Sequence, residues 1–242
     1  MLIRSFIIGA FTALIASVGT TLSLQAVGAD NMPMYKPPVA GAPTRRIGGG
    51  SRGFNSNPQK KPPYLAVFAP IHTGYTNQSH PSLYWYVSEV IDKPFIFTLI
   101  DAGQESLDET PLVEKKLLLD KAGVQQVNLE KLGVKLNPDV EYQWSLSIIL
   151  DETQRTTDIV SVGTIQRIPE NSDLQQQLAT NIDKKHPFVY AQAGLWYDAF
   201  FSLEDLIKKY PQEAQRFRQQ QGFLLKQVGF DDKVIGSITP DL

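Results

Sequence analysis

The amino-acid sequence predicts a mainly β fold, an antiparallel β-sandwich followed by a small C-terminal α-helical hairpin. Residues 64–168 hold about seven short apolar stretches, separated by turn residues at the spacing typical of sandwich strands. After residue 171 the apolar spacing becomes helical. Apolar residues make up 42% of the 242 residues and charged residues 20%, which allows a buried core. The predicted segments are a signal peptide (1–29), a Pro/Gly-rich basic linker (30–62), the β-sandwich (63–170), a helical segment (171–230) and a C-terminal tail (231–242).

The N-terminus has the pattern of a secretory signal peptide. Met1–Arg4 is a short positive region, residues 5–25 are apolar or small, and Val27-Gly28-Ala29 places small residues before a cleavage point at Asp30. The alternative is an uncleaved membrane anchor, because the apolar run approaches the ~20 residues that span a bilayer. In both cases the body is predicted to lie outside the cytoplasm, periplasmic or secreted, and it meets the membrane only through this segment, if uncleaved.

Residues 30–62 form a basic linker before an acidic body. Six cations against Asp30 give the linker a net charge of +5, and Arg4 is the only charge before it, so the chain's net −2 leaves −8 for residues 63–242. Six prolines and Gly48-Gly49-Gly50 disfavour both helix and strand here. We interpret the linker as solvated and able to lie against its own acidic domain. The alternative is a patch for anionic lipid or polymer.

The candidate strands alternate in side-chain direction. Along residues 83–87, Tyr84 and Tyr86 face one way and the other three side chains face the opposite way. A second alternating row includes Tyr142 and Trp144. Period two is the signature of a half-buried strand. The candidate strands are Tyr64–Phe68, Leu83–Ser88, Phe95–Asp101, Val113–Leu119, Gln125–Leu129, Glu141–Leu150 and Asp158–Arg167.

Residues 136–142 have the form Leu-x-Pro-x-x-x-Tyr before one of these strands. The segment resembles the E–F corner of fibronectin type III and related immunoglobulin-like domains. In that tyrosine corner the hydroxyl of a Tyr, here Tyr142, bonds the backbone upstream. The alternative is an ordinary proline turn.

The helical segment resembles the second half of a tetratricopeptide repeat. The offsets of the apolar and small residues match that repeat, with Tyr190 at its helix-A tyrosine. Pro187 departs from the pattern and shortens helix A. A third amphipathic helix then ends at Gly229. Because one repeat cannot bury its own face, we expect the hairpin to pack on the sandwich or on a partner. The matching residues are Ala191, Gly194, Trp196, Ala199, Leu203, Leu206 and Pro211.

No residue pattern indicates catalysis, a metal or a cofactor. The chain has no cysteine, and His72 and His80 lack the further ligands of a metal site, while His186 begins a helix. No serine elbow is present, and the loop at residues 48–53 lacks the Gly-Lys-Ser/Thr of a phosphate loop. Carboxylate pairs such as Asp108-Glu109 fall in polar loops. We therefore predict that the protein uses no cofactor and is not an enzyme.

Six residues are candidates for an interaction site. The aromatic side chains form either an exposed interface patch or the contact between sandwich and helices, and we favour the contact. The arginines lie in or beside the glycine-rich loop of the linker, either on a flexible strap or where they dock on a carboxylate or a sheet face. The candidates are Arg46, Arg52, Tyr84, Tyr86, Trp196 and Tyr197.

Several motifs, in order along the chain, are together similar to a bacterial domain-of-unknown-function family, number 928. The resemblance implies a secreted or periplasmic bacterial protein and no activity, because none is assigned to the family. The motifs are Tyr35-Lys36-Pro37-Pro38, Gly41-Ala42-Pro43, residues 46–53, Ala69-Pro70, His72-Thr73-Gly74, Leu83-Tyr84-Trp85-Tyr86, Gly163-Thr164-Ile165, Tyr190-Ala191 and residues 193–199.

Two function hypotheses follow. The first is a non-catalytic envelope or extracellular protein-interaction module whose partner is another envelope or extracellular protein, because both scaffolds commonly bind proteins. The second is an envelope-associated hydrolase or glycan-binding protein, which a carboxylate within hydrogen-bond reach of His72 in a cleft would favour. Nucleic acid is not an expected partner, because the cations have no aromatic platform among them.

Overall fold

A computed structural model describes residues 31–38, 62–103 and 110–239. Of these residues, 34% are helical and 27% lie in strands. The described part of the chain therefore has more helix than strand, and the prediction of a mainly β chain was wrong in this respect. One reason is that the predicted tail contains a further helix, begun by an Asp231 side chain that accepts from Val234 N–H. The elements are β1 Leu65–Val67, β2 Gly74–Thr76, β3 Ser82–Val87, β4 Phe95–Asp101, β5 Val113–Leu117, β6 Gly123–Asn128, β7 Glu141–Ile148, β8 Ile159–Arg167, α1 Ser172–Thr180, α2 His186–Gln192, α3 Trp196–Lys209, α4 Ala214–Gln227 and α5 Asp232–Ile238.

The strands form two sheets with the orders β1-β3-β6 and β2-β8-β7-β4-β5. All neighbours are antiparallel except β2 and β8, which run parallel, so the larger sheet is mixed and the prediction of a wholly antiparallel sandwich was wrong there. The sequence did not indicate β2, because Gly74–Thr76 is only three residues long, too short to show a period of two. In β7 every second side chain is buried, as the alternating row from Tyr142 predicts.

The helices pack on the sandwich, as expected for a hairpin that cannot bury its own face. Phe68, just after β1, lies 5.2 Å from Phe200 of α3 and 5.6 Å from Phe230 between the ring centroids. Tyr197 of α3 donates its hydroxyl hydrogen to Thr164 O at 2.9 Å. Sandwich and helices therefore share one hydrophobic core.

Tyr142 makes the hydrogen bond that the corner interpretation requires. Its hydroxyl oxygen accepts from Asn137 N–H at 3.0 Å, and the Tyr142 side chain is buried. Asp139 between them has a φ of 62°, a left-handed conformation that tightens the turn. This bond ties the turn to β7.

Residues 32–38, here called the N-terminal strap, lie on the helices. Gln227 of α4 accepts from Tyr35 N–H at 2.9 Å and donates to Pro33 O at 3.0 Å. Lys36 N–H donates to Ala191 O at 3.0 Å. The strap therefore lies against its own domain, as the interpretation of the linker allowed, and within it Tyr35 is buried and not solvated.

Candidate functional site

The candidate site is a cleft of about 470 Å³ between α2, α3 and the loop that joins β2 to β3. We call it the helix-side cleft. Side chains one helical turn apart on α2 and α3 reach it because residues four positions apart lie on one helix face. The lining residues are Gln78, Asp183, His186, Tyr190, Phe201, Ser202, Asp205, Leu206, Lys208 and Lys209.

The lining combines aromatic, apolar and charged groups. The rings of His186 and Tyr190 meet edge to face at 6.5 Å. Asp183 accepts from Lys209 Nζ at 2.7 Å and from the Tyr210 hydroxyl at 2.8 Å, and these bonds lower the pKa of Asp183 to about 2.

Two further lining charges are free to meet a ligand. Asp205 and Lys208 are exposed, and no ion pair among the described residues includes either of them. The cleft therefore offers one acid and one base beside two aromatic rings, Tyr190 and Phe201.

A buried carboxyl group, Asp198, lies close to the cleft in the first turn of α3. Its Oδ2 accepts from Asn77 N–H at 3.2 Å, and the side chains of Thr76 and Gln78 also hydrogen-bond to it. Its Oδ1 has no hydrogen-bond partner among the described residues. Burial raises the pKa of Asp198 to about 7, above its ordinary value of 3.8. Gln78 connects this carboxyl to the cleft, because it lines one and bonds the other.

The charge of Asp198 also acts on Tyr190. Burial, and then the nearby Asp198 carboxylate, raise the pKa of the Tyr190 hydroxyl to about 12. The hydroxyl of Tyr190 is therefore neutral at physiological pH and offers a hydrogen bond to a ligand.

The three histidines are engaged in hydrogen bonds that shape the fold. His72 Nε2 lies 2.7 Å from the Tyr35 hydroxyl and their rings stack at 5.7 Å, while burial lowers the pKa of His72. His80 Nδ1 lies 2.8 Å from Ser79 Oγ. His186 Nε2 carries a proton, because it lies 3.1 Å from a carbonyl oxygen, that of Leu178.

No described histidine therefore has the setting of a metal ligand. Within residues 31–38, 62–103 and 110–239, no group of three metal-ligand side chains occurs. The hydrogen-bond partner of His72 is a phenol, Tyr35.

Of the predicted interaction residues that the structure describes, three lie inside the molecule. Tyr84, Trp196 and Tyr197 are buried, and Tyr84 lies 5.6 Å from Phe200 of α3. All three lie in the core that the sandwich and the helices share, which is the arrangement favoured from the sequence over an exposed patch.

Of the three remaining candidates for an interaction site, the structure describes Tyr86. Tyr86 is half-buried, with its ring 6.4 Å from that of Tyr64. Arg46 and Arg52 lie outside the described residues, as do the predicted signal segment, the glycine-rich loop and the pair Asp108-Glu109.

Tyr197 is the central residue of the internal contact. It accepts from Trp144 Nε1 at 3.0 Å in addition to its bond to Thr164 O. Gly74 makes room for it, since a Cβ on Gly74 would lie 2.5 Å from Tyr197 Cε2. Residues far apart in the sequence thus converge on this ring.

Sequence reasoning missed the residues of the helix-side cleft. Gln78, Asp205 and Lys208 are ordinary polar residues, and only the fold brings them together. Asp198 gave a usable signal, because it is a lone charge within the apolar run of residues 195–201. A charge in such a run is expected to be buried and to need partners.

A family model described as Domain of Unknown Function (DUF928) matches residues 47–237. No curated protein matches the chain. Nine chains of solved structures match. One is astrotactin-2, described as a conserved vertebrate-specific and perforin-like membrane protein involved in neuronal development, with 10% identity and a TM-score of 0.27. That match covers 73% of this chain and 38% of the astrotactin-2 chain.

In the part of the chain that the structure describes, no helix has the length and apolarity to span a bilayer.

Proposed function

We propose, on the premise that the chain belongs to the DUF928 family, that it is an exported, non-catalytic module that binds another envelope or extracellular protein. The observation that carries this proposal is the helix-side cleft. It places two aromatic rings, Tyr190 and Phe201, beside the unpaired charges of Asp205 and Lys208. Aromatic residues with charges at the rim are typical of protein-binding surfaces.

The size and shape of the cleft favour an extended segment of the partner. A volume of about 470 Å³ accommodates a few side chains and not a folded domain. The acid and the base at Asp205 and Lys208 suit a segment that carries both charges. We expect one apolar side chain of that segment to contact Phe201.

The proposal includes the finer fold assignment. We infer that the sandwich is immunoglobulin-like, with the bond from Asn137 N–H to the Tyr142 hydroxyl as its tyrosine corner. We infer that α2 and α3 are a tetratricopeptide-like hairpin with the sandwich in place of the neighbouring repeats. The short α2, with Pro187 in its first turn, and Pro211 after α3 support this assignment.

The groups near the cleft support a non-catalytic role. Asp198 is enclosed, Asp183 is held by Lys209 and Tyr210, and His186 donates to a backbone carbonyl. A general base must instead reach the proton that it removes from a substrate. These groups stabilise the walls of the cleft.

The test is affinity capture from an envelope extract of the producing cell, with the purified chain as bait. The variant Asp205→Lys/Lys208→Glu reverses both cleft charges at exposed positions, and Glu130→Lys/Lys131→Glu makes the same changes in an exposed turn elsewhere. We expect the wild type and the turn variant to retain the same protein, and the cleft variant to lose it.

Equal capture by all three proteins would contradict the assignment of the cleft. Retention of polysaccharide without a protein would favour the glycan-binding alternative. Equal unfolding temperatures of the three proteins serve as the control for folding.

A further inference from the structure

The strand β5 is an edge of the larger sheet, with β4 as its one neighbour among the described residues. Ala102 N–H donates to Glu141 O of β7, and Leu112 N–H, just before β5, donates to Leu99 O of β4. The N–H and C=O groups of successive residues point to alternate sides of a strand. Even-numbered residues of β4 therefore bond β7, and odd-numbered residues bond β5.

This alternation fixes which groups of β5 point away from the sheet. Phe97 of β4 lies opposite Lys115, so Lys115 and the other odd-numbered residues of β5 bond β4. Glu114 and Lys116 therefore direct their N–H and C=O groups outward, where a further strand can bond them. Their side chains are exposed and lie on the outer face of the sheet.

The outward groups of β5 match those of a second copy of β5. When two copies run antiparallel with Lys115 at the centre, Glu114 lies opposite Lys116 of the second copy, twice by symmetry. Each such pair exchanges two backbone hydrogen bonds. Registers centred on Glu114 or on Lys116 instead place like charges opposite each other, which is unfavourable. We propose that the chain forms a two-fold symmetric dimer through β5, with Glu114 opposite Lys116.

One exposed leucine lies at the end of this interface. Leu118 is 90% exposed and follows β5 directly. It lines a groove of about 370 Å³ together with Val90, Ile91 and other residues. Leu112, at the other end, donates its N–H to Leu99 O, whose partner in the ladder is Val113, so Leu112 turns towards β4 and lies outside the paired register.

Lys115 is the unfavourable element of this interface. Lys115 lies opposite Lys115 of the second copy, where like charges repel, so we expect a reversible dimer and not a permanent one.

The pattern of charges along β5 indicates that the partner is a second copy of this chain. The charges of Glu114 and Lys116 are complementary about one centre, which is the requirement of an isologous interface.

The test measures the dissociation constant of the purified chain by sedimentation equilibrium at low salt. Glu114→Lys alone and Lys116→Glu alone each create two like-charge pairs, and we expect each to raise the dissociation constant about tenfold or more. The double variant Glu114→Lys/Lys116→Glu restores opposite charges, and its dissociation constant should return to within about threefold of wild type. Lys115→Thr should lower the dissociation constant, because it removes the central repulsion.

Lys116→Pro tests the backbone bonds, because it removes an N–H that points away from β4 and leaves the existing ladder intact. We expect it to abolish the dimer without lowering the unfolding temperature. A chain that stays monomeric at millimolar concentration, or single variants that the double variant does not rescue, would overturn the proposal. The helix-side cleft is unaffected by these substitutions, so loss of the dimer and loss of partner capture are separate results.

Discussion

The buried carboxyl of Asp198 predicts that the stability of the protein falls as pH rises. Its pKa is about 7 in the folded chain and takes the ordinary value of 3.8 when the chain unfolds. Between these two values the folded protein holds a proton that the unfolded chain has released. The stabilisation is therefore fully present below pH 3.8 and is lost as pH rises through about 7.

The size of this effect follows from the difference in pKa. A difference of about 3 units corresponds to about 4 kcal/mol of unfolding free energy. Asp198→Asn cannot ionise and keeps an oxygen to accept from Asn77 N–H. Its added N–H groups cost about 1–3 kcal/mol if they stay unpaired. We therefore expect the variant to be less stable than wild type at pH 4.5 and equally or more stable at pH 8.

Denaturant unfolding at intervals between pH 4 and pH 8.5 measures this difference. Asp205→Asn is the matched control, because Asp205 lies exposed on the same helix, and its stability should follow the wild-type curve. A difference between wild type and Asp198→Asn that stays constant across the pH range would refute the reasoning, since no linked proton would then be involved. A second readout is Tyr190, whose pKa should fall in the Asp198→Asn variant.

Three substitutions test the fold, and one sequencing experiment tests the N-terminus. Tyr142→Phe leaves the Asn137 N–H without its acceptor and should cost about 1–2 kcal/mol in denaturant melting, whereas an unchanged midpoint would argue against the corner. Gly74→Ala places a Cβ against Tyr197 and should cost about 1–3 kcal/mol, while Gly236→Ala, with open space around it in α5, should stabilise by about 0.5–1 kcal/mol. If the chain is exported as proposed, N-terminal sequencing of protein recovered from outside the cytoplasm should begin near Asp30, and recovery of Met1 would support an anchor instead.

The local sequence pattern predicted the positions of strands and helices better than it predicted which of their faces other elements cover. The alternation in β7 identified Tyr142 and Trp144 as inward residues, because a strand with one wet face shows its burial in the sequence. The same alternation in β3 placed Tyr84 and Tyr86 on one face but did not decide whether water or the helices cover Tyr84. Helices from the far end of the chain bury it, and no local pattern contains that information.

The helix-side cleft was beyond sequence reasoning for a related reason. Gln78 follows β2, His186 begins α2 and Asp205 lies within α3, and only tertiary packing makes them neighbours. Each belongs to a residue type that is common on protein surfaces. Spacing carries no signal when the ligand-facing side chains come from separate elements.

The bond between the N-terminal strap and Gln227 has a consequence for the order of folding. Tyr35 and Gln227 are 192 positions apart, so during synthesis from the N-terminus the strap has no partner at Gln227 until α4 has been made. Closing so long a loop is entropically costly unless the intervening segments have already folded. The strap therefore docks late, after α4 has packed, and a nascent chain arrested before Gln227 should still expose residues 32–38 to protease.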